Sequence, residues 1–284
     1  MAPLTSTGLE RSAQGRLIQR ISQWPWWLIA IVLAGVILSY KIISSELYSL
    51  IFSKLIQGIG TTVFVTFIGY LLANIIGLIV ALGRVSKNPV LYNLATLYVQ
   101  IIRGVPILVQ IFYVAFVITP VAIEILNGLG AALSGVLGAD NFLTQLSPQN
   151  VSLLARAVVA LTLAYGGFEA ETYRAGIESI HKGQMEAARS LGMSYSQAMR
   201  YVILPQAIRN VLPPLGNDFI SMLKDSSLVS VLGVRDITQE ARLYVSASFR
   251  YPETYNTLAF TYLSMTIVLS LGVKWLENRT KHGR

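Results

Sequence analysis

The sequence predicts an all-α integral membrane protein of about six spans, and three observations carry that reading. Of 284 residues, 54% are hydrophobic and 13% charged, where soluble proteins carry about 25% charged residues. The apolar residues fall in long blocks, with a mean hydropathy of +0.57. A helix rising about 1.5 Å per residue needs roughly 20 apolar residues to cross a bilayer. Finally, the net charge of +8 is spread unevenly over the connecting segments, as orientation in a membrane requires.

The first block, Trp24–Tyr40 (WPWWLIAIVLAGVILSY), follows a polar segment, 1–23, that holds Arg11, Arg16 and Arg20. Basic residues before a short apolar run also suit a cleaved signal peptide. No small-x-small cleavage site follows, and Trp24, Trp26 and Trp27 suit an interfacial aromatic anchor, so a retained helix is expected. Residues 41–58 read as a connector with an amphipathic helix (ELYSLIFSKLIQ). The second span, Thr61–Leu82, carries no charge and ends at Arg84 and Lys87. A partly apolar helix, Pro89–Ile102, and the sequence RGVP (103–106) lead to the third span, Val105–Leu126. Residues 127–150 are rich in Gly, Ser, Asn and Gln, contain no Lys or Arg, and read as a loop with at most one short helix.

The fourth span, Val151–Phe168, has Arg156 near its start and is followed by a polar, charged stretch, 169–210. The fifth, Leu212–Val234, encloses Asp218, Lys224 and Asp225. The sixth, Thr257–Val273, is closed by a basic tail (KWLENRTKHGR). With both ends inside, the inner segments hold 15 Lys and Arg and the outer ones six, with Lys224 inside a span. The excess of positive charge predicts N-in and C-in. Orientation therefore accounts for the basic balance without nucleic acid as a partner.

Several chemistries are excluded by what is missing. The chain has no cysteine, hence no disulfide, thiolate metal site or thiol nucleophile. Its two histidines, His181 and His282, have no histidine partner at helical spacing. HExxH, GxSxG and GxxxxGK[ST] stretches are absent, so no catalytic residue, metal or cofactor is expected, and no ATP site. A membrane-embedded hydrolase would need a nucleophile with a base, or an aspartate pair.

The most informative stretch is EAARSLGMSYSQAMRYVILPQA, 186–207. Its first part, Gly183–Leu191, is built from good helix formers. Gly192 stands where a left-handed C-terminal cap is needed. Ser194 and Gln197 have the spacing of a capping box for a second helix, and Pro205 ends or kinks it. A helix–turn–helix between spans, on the positively charged side, reads as a docking element for a cytoplasmic partner.

This stretch resembles the signature loop of ABC importer permeases. That loop reads Glu-Ala-Ala, three residues, Gly, nine residues, an aliphatic, any residue, Leu-Pro. It is matched by Glu186, Ala187, Ala188, Gly192, Val202, Leu204 and Pro205, with Val where Ile is commoner. Four further stretches are similar to the polar amino acid subgroup: residues 60–84, RGVPILVQIFYVAF (103–116), ETYRAGIESIHKGQMEAARSLG (171–192) and residues 204–234. The resemblance covers 58–284 and implies a five-helix type I permease core, with one extra N-terminal helix in 1–57. It also implies a coupling loop, 183–205, that couples the membrane helices to two cytoplasmic ABC ATPase subunits. Further implied partners are a second permease chain, identical or related, an extracytoplasmic solute-binding protein, an amino acid substrate and the lipid bilayer. Two features depart from the pattern. The helix at 24–40 is extra, and the 123–150 connector is longer than in the smaller members.

Charges inside spans usually face a bundle interior and often mark function. Lys224 and Asp225 are adjacent, about 100° apart on a helix, so each needs a partner elsewhere. With Ser227 they are motif positions, and they suit either a polar wall of the substrate path or an ion pair that locks helices. Asn217 and Asp218 lie about one turn before Ser221. Asp218, where the subgroup has Gln or Glu, offers an acceptor for a substrate ammonium, and Asn217 a donor for its carboxylate. Helix-packing hydrogen bonds remain the other reading. Glu169 and Glu171 lie at the cytoplasmic end of the fourth span. Glu171 and Arg174, at i and i+3, suit a local contact or part of a cytoplasmic gate. Arg103, Gly104 and Pro106 suit a broken helix lining the path. An ion-gradient-driven amino acid transporter is the alternative function, in which the docking loop has no purpose.

Overall fold

The computed structural model describes residues 26–138 and 140–281. The expected polar segment 1–23, Trp24 and the last three residues of the basic tail lie outside the described residues. Among the described residues the secondary structure is helical throughout. Five helices among the described residues are long and apolar enough to cross a membrane: Trp26–Ser44, Glu46–Arg84, Ile107–Ala132, Leu153–Glu178 and Tyr251–Arg279. The chain divides after Leu50 into two compact units.

In the first unit, α1 (Trp26–Ser44) is apolar on every side and has no buried residue, as expected of a helix whose solvent is lipid. It runs four residues beyond the expected end, with Lys41 in the last turn complementing the dipole. Next comes α2 (Glu46–Leu55), the expected amphipathic helix, with Glu46 in its first turn and Lys54 in its last.

The second unit is built on two helices, α3 (Ile59–Arg84) and a later one at 153–178. In α3 the buried residues are Thr62, Val65, Thr66, Gly69, Ala73, Gly77 and Ala81, a stripe of small side chains at helical spacing. Without a hydrophobic drive between helices in lipid, close backbone approach is what holds them, and small residues permit it. Gly77 marks the closest point. A Cβ there would meet Glu169 Cβ at 2.5 Å and Ala170 N at 3.0 Å.

After α3, Asn88 caps α4 (Pro89–Gly104). Its side-chain oxygen accepts from Val90 N at 2.9 Å and Leu91 N at 3.4 Å, with Pro89 at the first helical position. The chain then breaks where RGVP predicts. Val105 is extended (φ −109, ψ 134), as a residue before proline prefers. Gln110 offers Nε2 to the carbonyls of Ile102 and Val105, both at 2.7 Å, and so satisfies groups that the break leaves open.

The next helix, α5 (Ile107–Ala132), contains one π turn, Val114–Ile118. Its cause is Pro120, which has no N–H and crowds the preceding turn. The N–H of Thr119 goes to Val114 O, so the carbonyl of Ala115 has no donor in its own helix. Arg156 Nη1 supplies one from another helix, at 2.8 Å. The same guanidinium donates to Val151 O (3.0 Å) and Pro148 O, pinning the loop that follows α6 (Ser134–Leu137).

The second core helix, α7 (Leu153–Glu178), is capped by Ser152. Of its most apolar window 61% is buried, against 11% for the last helix, which makes α7 the hub around which the others pack. The polar stretch expected to leave the bundle at Glu169 instead continues α7 for ten residues. Glu171, Arg174 and Glu178 within it find ion-pair partners, so hydropathy alone places the boundary too early.

A helix pair follows as α8 (Lys182–Ser190) and α9 (Tyr195–Ala198), then a π turn, Met199–Ile203, that merges into α10 (Leu204–Asp225). The expected fifth span, Leu212–Val234, is this helix plus a 3-10 turn, Ser226–Leu232, closed by Gly233 at φ +77. It starts eight residues early, and Pro213 and Pro214 lie inside it. An unexpected helix, α11 (Ile237–Ser248), is capped by Asp236, which accepts from Gln239 N at 2.8 Å. The chain closes with α12 (Tyr251–Lys281), which contains the expected span Thr257–Val273.

Candidate functional site

Three clusters of expected site residues form, and each has its own environment. The first is the helix pair α8–α9. The end of α8 is a six-residue motif: Gly192 at φ +83, Gly192 N donating to Arg189 O (3.0 Å) and Met193 N to Ala188 O (3.2 Å). This is the geometry for which a left-handed glycine is required. The capping box is present as read, with Gln197 N to Ser194 Oγ at 3.3 Å and Ser194 N to Gln197 Oε1 at 2.8 Å. Ala188 and Ala198 turn inward, whereas Glu186, Ala187, Gly192, Leu204 and Pro205 are exposed. Leu191 (81% exposed), Tyr195 (59%) and Tyr201 (63%) stand out from an otherwise polar element.

The second cluster is an ion network between the ends of α3 and α4 and the last turns of α7. The carboxylate of Glu171 pairs with Arg84 of α3 and Arg174 of its own helix, and Arg103 Nη1 lies 3.8 Å away. Arg174 also pairs with Glu178. Arg103 thus joins the expected gate pair, apart from the polar face of α10, and Pro106 beside it is exposed. In the sequence Arg84 is marked only as a span end; its partner lies 87 positions away, and nothing local announces it.

The third cluster lies along α10, whose polar residues divide between two faces. Asn217, Ser221 and Lys224, spaced four and three apart, share one face, and Asn217 and Lys224 are exposed. Asp218 and Asp225, seven apart, turn toward α7. Thr172 Oγ1 lies 3.3 Å from Asp218 Oδ2, and Tyr165 Oη donates to Asp225 Oδ2 at 2.8 Å. Lys224 and Asp225 therefore face different neighbours, as their adjacency requires, and Ser227 is half-buried in the turn beyond.

Tyrosines complete this layer. Tyr70 Oη donates to Leu215 O (2.5 Å), and Tyr173 Oη to Asn74 Oδ1 (2.6 Å). Glu169, to which the sequence alone assigns no role, is fully buried here, and neither carboxylate oxygen has a hydrogen-bond partner. Below this layer lies a cavity of about 1020 Å³, lined among others by Glu171, Thr172, Gly176, Asn210 and Pro214. Pro213 and Pro214, which have no N–H to give within α10, also belong to its lining.

Residues 73–282 match the family described as the inner membrane component of binding-protein-dependent transport systems. The chain belongs to this family. As such a component it is a multi-pass inner-membrane protein, and its relatives are permease subunits. It is 37% identical over 220 residues to the "Probable amino-acid permease protein YxeN" of Bacillus subtilis, covering 78% of this chain and 88% of that one. To the glutamine transport system permease protein GlnP of Escherichia coli it is 33% identical, over 80% of this chain and 93% of that one. Among solved structures, an amino acid ABC transporter crystallised with histidines matches with a TM-score of 0.67 at 36% identity, covering 84% of this chain and 98% of that chain. The family match begins within α3, so α1 lies outside it.

Proposed function

We propose that this permease is the membrane subunit of an ATP-driven importer of polar amino acids. Residues 58–284 form its transport domain and 1–57 an accessory helix. A solute-binding protein delivers substrate outside, and two ABC ATPase subunits dock inside. A second permease chain, identical or related, completes the path. Relatives named as amino-acid and glutamine permeases support the substrate class.

The observation that carries the mechanism is the exposed helix pair. A glycine-capped, box-capped element that shows Leu191, Tyr195 and Tyr201 to its surroundings has the apolar anchors an interface core needs. Its continuity with α10 through the π turn gives it leverage. Displacement of α8 by a closing ATPase dimer is transmitted to the helix that bears Asn217, Asp218, Ser221, Lys224, Asp225 and Ser227. These residues form the substrate path, and Glu171 with Arg174 the inner gate. Both termini face the cytoplasm. The tests are co-purification and transport. Glu186→Lys and Gly192→Pro are expected to lose the co-expressed ATPase and ATP-dependent uptake in proteoliposomes, while the permease still inserts. Full uptake by either variant would overturn the coupling assignment.

A further inference from the structure

We propose that a groove between α3, α10 and α12 is a binding site for one acyl chain of a bilayer phospholipid. The inference goes beyond the transport assignment and stands independently of it.

The groove has a volume of about 410 Å³, and Ile59 and Val63 of α3, Phe219 and Leu223 of α10, and Met265 and Val268 of α12 are among its walls. Thr66 and Ser264 bring hydroxyls to the lining, and both are spent within their own helices. Thr66 Oγ1 donates to Thr62 O at 2.7 Å, and Ser264 Oγ to Phe260 O at 2.8 Å. Among the described residues no ionisable side chain lines it. The site therefore suits hydrocarbon and offers nothing to a polar ligand.

The two sides of α10 decide where the hydrocarbon comes from. Asn217, Ser221 and Lys224 mark one face, and Lys224 is exposed there. A charge within a span is costly against lipid, so that face meets protein or water. Phe219 and Leu223 stand about 180° away around the helix. The groove thus opens on the side of α10 that is left to the bilayer, and Val63 (47% exposed) and Val268 (68%) leave its mouth open.

Size separates a chain from a helix as the occupant. Along α3 the groove runs from Ile59 to Thr66, about 10 Å at 1.5 Å per residue, which gives a cross-section of roughly 40 Å². A helix about 10 Å across has roughly twice that, whereas a methylene chain is thin enough to lie inside. The hydrophobic effect does not close a recess that faces lipid. Left empty, its walls forfeit dispersion contacts, and an acyl chain laid in it restores them.

The test uses the full-length permease in nanodiscs of phosphatidylcholine and phosphatidylglycerol. A small fraction of the phosphatidylcholine carries a diazirine midway along one acyl chain, and after illumination the adducts are mapped by peptide mass spectrometry. Residues 59–66 and 264–269 are expected to be labelled about five-fold more than α4, whose Leu94 and Leu97 are also exposed. Ser264→Phe fills the groove and should lower that labelling by about five-fold, with α4 unchanged. Val268→Trp, at the rim, serves the same purpose should Ser264→Phe give no monodisperse peak. Equal labelling of the groove and α4, or labelling that survives the filling substitution, would overturn the proposal. So would a disulfide between two copies of Val268→Cys formed in native membranes on mild oxidation. The chain has no cysteine of its own, so that bond would place a second permease over the groove.

Discussion

Arg156 offers the sharpest test of how the bundle is held. Its guanidinium touches three backbone carbonyls and, among the described residues, no carboxylate. Two of these, Pro148 O and Val151 O, belong to the loop before α7, where water can replace the lost donor. The third, Ala115 O, is buried in the π turn of α5 and has no other donor. Arg156→Met keeps much of the apolar volume and removes all the donors. A hydrogen bond to a charged group contributes about 1.5–3 kcal/mol, and an orphaned buried carbonyl costs about 1–3 kcal/mol. A net loss of roughly 2–4 kcal/mol is therefore expected. At about 2–4 °C per kcal/mol for a chain of this size, that corresponds to roughly 4–16 °C in midpoint.

The assay is size-exclusion of heated, detergent-purified protein, in which the monodisperse peak is followed against temperature. A second substitution isolates the cause. Pro120→Ala returns an N–H to the turn, giving the Ala115 carbonyl a local donor. In that background Arg156→Met should cost about 1 kcal/mol less than alone, an interaction energy usual for groups that share a partner. A midpoint unchanged by Arg156→Met, or strict additivity of the two substitutions, would refute the account of the π turn.

Two further expectations concern packing and orientation. Gly77→Ala places a Cβ 2.5 Å from Glu169 Cβ and should cost about 1–3 kcal/mol in the same heating assay. Gly60→Ala, on the same helix with nothing within 4 Å of the new atom, should be neutral or stabilising, and equal shifts would contradict the close-approach argument. Because the chain has no cysteine, Ser196→Cys in α9 and Ser246→Cys in α11 report topology directly. An impermeant maleimide on spheroplasts should label Ser246→Cys at once and Ser196→Cys only after permeabilisation, and the reverse pattern would sink the N-in, C-in assignment.

What could be read from the sequence follows from the range of each physical signal. Bilayer thickness acts on one segment at a time, so Thr61–Leu82 was expected within two residues of the observed ends of α3. Helix caps act over six residues, so Gly192, Ser194 and Gln197 could be assigned their roles from spacing alone. Even α11 had such a signal, Asp236 with Gln239 three positions on, which hydropathy hid because the helix is amphipathic and short. Partnerships between distant charges have no such local cause. Nothing near Arg84 points to Glu171, and their pairing is part of why α7 continues for ten residues past its expected end. Glu169 lies between these cases. That it and Glu171 lie on opposite sides of one helix is readable from a spacing of two, so one arginine cluster cannot serve both. Which of the two is left unpaired depends on where α3 and α10 pack, and only the fold decides it.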